Sequence, residues 1–67
     1  MKLVLKETGK EINIGDTLVS FRGDSYTLVS KNPPHKPSSQ GKVYVEDGKG
    51  MRRELYPSVF EAEYVQG

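Results

Sequence analysis

Lys42-Val43-Tyr44-Val45-Glu46, followed by Asp47-Gly48-Lys49-Gly50, is the stretch whose reading decides the fold. Val43 and Val45 alternate with Lys42, Tyr44 and Glu46. Successive side chains of a strand point to opposite faces, so this period of two describes a strand with one apolar and one polar face. The Asp-Gly pair behind it is hairpin chemistry, and Met51 to Tyr56 is expected to pair back.

The same reading extends toward the N-terminus. Lys2 to Lys6 and Glu11 to Ile14 read as short strands joined by a turn at Glu7 to Lys10, and Gly15-Asp16 breaks the second. Thr17 to Arg22 reads as a third strand in which Val19 and Phe21 alternate but Leu18 points the other way. A bulge near Gly15-Asp16 or burial of both faces would reconcile this. Gly23-Asp24 is a hairpin turn, and Ser25 to Lys31 returns from it.

Asn32 to Gly41 then forms a flexible loop, because prolines at 33, 34 and 37 cannot donate to a ladder. Pro57-Ser58-Val59-Phe60 reads as a single helical or 3₁₀ turn with proline at its first position. Ala62 to Val65 closes the chain as a strand. The expected core is Leu3, Leu5, Ile12, Ile14, Val19, Phe21, Tyr26, Leu28, Val43, Val45, Leu55, Val59, Phe60 and Val65.

No amphipathic helix is visible, so about five to seven short antiparallel strands are expected in one all-β domain spanning residues 1–67. A chain this short buries only about 60% of its unfolded surface, so its stability margin is thin. There is no cysteine to staple it and His35 is the single histidine, which excludes disulfides and a Cys/His zinc site. No apolar run is long enough for a signal peptide or a membrane span, which points to a cytoplasmic protein without membrane partners.

The segment Ile14-Gly15-Asp16-Thr17-Leu18-Val19-Ser20-Phe21-Arg22-Gly23 with the returning Tyr26-Thr27-Leu28-Val29 resembles the opening of SH3-like barrels. Tyr56 to Phe60 before Ala62 to Val65 is similar to the 3₁₀ turn that precedes the last strand of that fold. The resemblance implies a small SH3-like barrel. Nothing matches the Ala-Leu-Tyr-x-Tyr type motif of peptide-binding SH3 domains, so it brings no ligand with it. Pro33 to Ser39 and Tyr56 to Phe60 also resemble small uncharacterised bacteriophage and prophage proteins, which implies such an origin.

Formal net charge is +1, far from the strongly basic profile of a nucleic-acid binder. The charge is nevertheless uneven: all ten Lys and Arg precede residue 54, whereas Glu54, Glu61 and Glu63 follow with no base among them. Lys31, His35, Lys36 and Lys42 cluster around the proline loop without an acid. Arg52 and Arg53 could extend that patch, and Tyr44 could stack on a base or a partner side chain. These seven are the candidate contacts for a protein partner or, second, for nucleic acid.

Pro34-His35-Lys36-Pro37 matches PxxP, a motif short enough to arise by chance. Arg22-Gly23-Asp24 is ordinary turn chemistry. His35 has no recognisable nucleophile arrangement and Gly48-Lys49-Gly50 is too short for a phosphate loop. The reading is therefore of a non-catalytic interaction module without cofactor or metal, a monomer or weak dimer.

Overall fold

The computed structural model describes residues 1–36 and 38–66. Among them six strands form, β1 (Lys2–Leu5), β2 (Thr17–Val19), β3 (Ser25–Asn32), β4 (Lys42–Glu46), β5 (Arg52–Leu55) and β6 (Ala62–Val65), with a 3₁₀ turn at Pro57–Phe60 before the last. All pairings are antiparallel. One sheet has the order β2-β3-β4-β5 and the other joins β1 to β6, the two ends of the chain. Among the described residues the strands do not close into a continuous barrel.

Two hairpin turns share one design. In the first, Gly23 N–H donates to the Ser20 carbonyl at 2.8 Å and Ser20 N–H to the Asp24 carbonyl at 2.8 Å. In the second, Gly50 N–H donates to the Asp47 carbonyl at 3.1 Å and Asp47 N–H to the Met51 carbonyl at 2.9 Å. Gly23 (φ 88) and Gly50 (φ 82) take the left-handed conformation that ends a three-residue hairpin loop with a glycine bulge. In each, the first side chain accepts two main-chain N–H groups: Ser20 Oγ from Arg22 and Asp24, Asp47 Oδ1 from Lys49 and Met51. The decisive glycine of the second turn is thus Gly50, and not the Gly48 of the Asp-Gly pair.

A third glycine bulge resolves the conflict in β2. Gly15 N–H donates to the Leu28 carbonyl and Leu28 N–H to the Asp16 carbonyl, so two residues face one, and Gly15 has φ 94. The extra residue resets the phase of the strand. Leu18 turns inward to 4% exposure, while Val19 lies outward at 55%. Ile14 and Phe21 sit in the turns on either side of the strand and are 58% and 67% exposed. Ile14, Val19 and Phe21 are therefore not core residues, contrary to their expected alternation. The expected second strand shrinks to one bridge, Glu11 to Val4.

The core lies between the two sheets. Leu3, Leu28, Val43 and Val45 are fully buried, joined by Ile12, Leu18, Phe60, Ala62 and Tyr64. Tyr26 meets Phe60 edge to face, centroids 5.6 Å apart. Val65, expected inside, is half-buried, because Ala62 and Tyr64 are the inward residues of β6.

Candidate functional site

The proline segment between β3 and β4 is tied down at both ends. Pro33 and Pro34 bring no N–H, so the β3–β4 ladder stops at Asn32 and Lys42. Tyr64 reaches this stopping point from β6. Its hydroxyl accepts from Asn32 N–H at 3.0 Å and donates to the Lys42 carbonyl at 2.7 Å, bridging the two strands. Burial pushes the Tyr64 phenol above its ordinary value of 10.0, with the Asn32 N–H pulling the other way. Beside it Gly41 has φ 76, and a Cβ there would lie 2.8 Å from the Asn32 carbonyl oxygen and from the Pro34 ring. No other residue fits. The loop is further fixed where Gln40 Oε1 accepts the Ser58 N–H of the 3₁₀ turn at 3.2 Å.

Between this loop and β6 lies a groove of about 610 Å³. Pro34, His35 and Lys36 line it from the loop, and Ala62, Glu63 and Tyr64 from the strand. His35 and Lys36 are exposed. Among the described residues, no carboxylate pairs with Lys36, and Lys6 adds a second unpaired ammonium to the same groove.

The seven residues singled out by sequence do not form one patch. The pairing of β3 with β4 shifts register between Leu28 and Ser30, so Val29 is an extra residue. Beyond the shift, Lys31 shares the core-side face with Val43, whereas Lys42 and Tyr44 share the outer face with Asn32 and Ser30. Lys31 is thereby separated from Lys42 by the thickness of the sheet. His35 and Lys36 come together at the groove, whereas Lys42, Tyr44 and Arg52 share the outer face of β4 and β5. Pro37, the second proline of the PxxP match, lies outside the described residues.

The remaining bases are compensated. Lys42 Nζ pairs with Glu54 at 3.3 Å and sits over the Tyr56 ring at 5.4 Å. Arg52 meets Glu46 at 3.6 Å and Arg53 meets Asp47 at 3.9 Å. Glu54, directly across the sheet, raises the Tyr44 phenol. Tyr44, seconded by Lys42, holds the Glu54 carboxyl below its usual range. The outer face of β4 and β5 is a balanced ionic surface.

Tyr64, Gly41 and Gln40, which shape the site, escape sequence reasoning. The available signal was the alternation of Ala62 and Tyr64 with Glu63, which marks Tyr64 as an inward tyrosine in need of a hydrogen-bond partner. Among the described residues, no three acidic or histidine side chains converge on a point that could hold a metal ion. No protein-family model, curated protein or solved structure matches the chain.

Proposed function

We propose that the chain is a non-catalytic protein-interaction module on an SH3-like plan, of phage or prophage origin, that receives its partner in the groove between the proline loop and β6. The observation that carries this reading is the anchored loop. The stem of the proline segment is held by a buried tyrosine hydroxyl and by a glycine that tolerates no side chain, and Pro34, His35 and Lys36 line the groove beside it. Loops held on a rigid scaffold are where binding residues concentrate. The fold reading is supported by the pairing of β1 with β6, the succession of hairpins from β2 to β5, and the 3₁₀ turn before the last strand.

Catalysis is left out because His35, the single histidine of the chain, stands exposed on the loop. Among the described residues no Ser, Asp or Glu side chain hydrogen-bonds it. Nucleic-acid binding is the second reading, and the ion pairs at Lys42, Arg52 and Arg53 weigh against it.

Replacing residues 34–40 by Gly and Ser while keeping Asn32, Gly41 and Tyr64 provides the test. Immobilised wild-type protein is expected to retain, from a bacterial lysate with and without infecting phage, a protein that the loop-replaced form does not. Capture independent of the loop would overturn the assignment. Titration of labelled DNA and RNA at low and high salt is expected to show no salt-dependent binding, and a steep salt slope would favour the second reading.

A further inference from the structure

The second edge of the four-stranded sheet is β5, and its open side carries a pattern that fits itself. Asp47 N–H donates to the Met51 carbonyl, which marks residues 47 and 51 as a hydrogen-bonded pair. Hydrogen-bonded pairs alternate along an antiparallel ladder, so Arg53 with Val45 and Leu55 with Val43 are bonded as well. The N–H and C=O groups of Arg52 and Glu54 therefore point away from β4. No described residue accepts or supplies a main-chain hydrogen bond there, and both residues are exposed.

We infer that β5 pairs antiparallel with β5 of a second copy of this chain, about a two-fold axis at Arg53. The open-edge groups belong to even-numbered residues, which restricts the hydrogen-bonded pairs to even with even. With Arg53 on the axis, Arg52 stands opposite Glu54 of the other copy, twice, on the outer face. Met51, 60% exposed in the single chain, stands opposite Leu55, also twice. Sliding the register by one residue in each copy loses both Arg52–Glu54 pairs and leaves Arg52 opposite Arg52 or Glu54 opposite Glu54, so the register centred on Arg53 is the one that gains two opposite-charge pairs. Arg53 meets its own copy on the axis, each guanidinium retaining its own Asp47 carboxylate at 3.9 Å.

The contact is isologous and closes on itself, joining two four-stranded sheets into one. Four residues of edge amount to about 13 Å of ladder, which belongs among small, weak interfaces. The dimer therefore forms at high concentration and dissociates on dilution.

The experiment is sedimentation equilibrium of the full chain up to about 1 mM, the range suited to a small interface. The wild-type protein is expected to dimerise reversibly. Arg52→Glu and Glu54→Arg, each alone, create two like-charge pairs and are expected to weaken association about tenfold or more. The double variant R52E/E54R restores both pairs and is expected to recover it. Mixing the two single variants is expected to give a heterodimer, one edge all acidic and the other all basic.

A wild-type chain monomeric at 1 mM, or single variants that associate as well as wild type, would overturn the inference. Melts by circular dichroism establish that each variant is folded. Should one fail to fold, amide exchange in the wild-type protein decides: exchange at Arg52 and Glu54 is expected to slow as concentration rises, and exchange independent of concentration would overturn the pairing.

Discussion

Phe60 and Phe21 are the two phenylalanines of the chain, and their surroundings give them opposite weight. Phe60 is 2% exposed and packs against Tyr26, whereas Phe21 projects from a hairpin turn at 67% exposure. Phe60→Ala removes a buried ring and is expected to cost about 3–5 kcal/mol. That is comparable to the whole stability of a domain near the lower limit of about 5 kcal/mol. Phe21→Ala is expected to stay within about 0.5 kcal/mol. Circular dichroism should show Phe60→Ala without a cooperative melt and Phe21→Ala melting near wild type. Loss of folding in Phe21→Ala would contradict the placement of that ring.

Tyr64 joins sheet packing to loop geometry through one oxygen atom. Tyr64→Phe leaves the Asn32 N–H and the Lys42 carbonyl without their bridge, at a cost of about 1–3 kcal/mol. The raised phenol also makes stability depend on pH at the alkaline end. Because the folded state holds the proton more tightly than the unfolded chain, its contribution is complete below pH 10.0 and lost as pH rises through the higher folded value. Tyr44 adds to that loss in the same direction. A series of melts between pH 8 and 11 should therefore show a smaller alkaline decline in Tyr64→Phe than in wild type. An unchanged decline would mean that Tyr64 does not titrate on unfolding.

The turns carry the argument at the scale of elements. Gly50 lies at φ 82 and Gly48 has no positive φ, although both have open space where a side chain would go. Gly50→Ala is expected to destabilise by about 1–2 kcal/mol, the cost of a left-handed conformation with a Cβ. Gly48→Ala is expected to be neutral or to stabilise by up to about 1 kcal/mol. Equal effects in denaturant titrations would count against the turn geometry. Asp47 reports on the same loop from the acid side, since the Met51 and Lys49 N–H groups hold its carboxyl below its ordinary 3.8. Its contribution is present above that value and disappears as pH falls through the lower folded one, so Asp47→Ala should flatten the acid limb of stability against pH.

The same turns explain what was legible in the sequence. Strands β4 and β6 stand where the alternation of Val43 with Val45 and the closing run after the 3₁₀ turn place them. Alternation counts residues, however, and a bulge inserts one without changing the composition. The bulge at Gly15-Asp16 exposed Val19, and the turn at Ser20 exposed Phe21. The extra residue Val29 put Lys31 on the face opposite Lys42 and divided the basic cluster. The site depended on these phases and on Tyr64, whose partners lie 32 and 22 residues away in sequence. No local pattern announces contacts of that range.

At the scale of the molecule, the two sheets depend on each other because neither owns the core. Leu3, Ala62 and Tyr64 come from the β1–β6 pair, and Leu18, Leu28, Val43 and Val45 from the larger sheet, all in one cluster. A two-stranded ribbon is at best marginally stable alone in water, so β1 and β6 hold together only while packed against β2 to β5. Unfolding is expected to be two-state: tyrosine fluorescence and far-ultraviolet circular dichroism should give coincident transitions in urea. Because the first and last strands pair with each other, the final contact closes nearly the whole chain, and refolding is expected in about milliseconds to seconds rather than microseconds. Stopped-flow refolding measures this directly. A microsecond phase that completed folding, or separate transitions for the two probes, would show that the sheets form independently and that the shared core does not bind them into one unit.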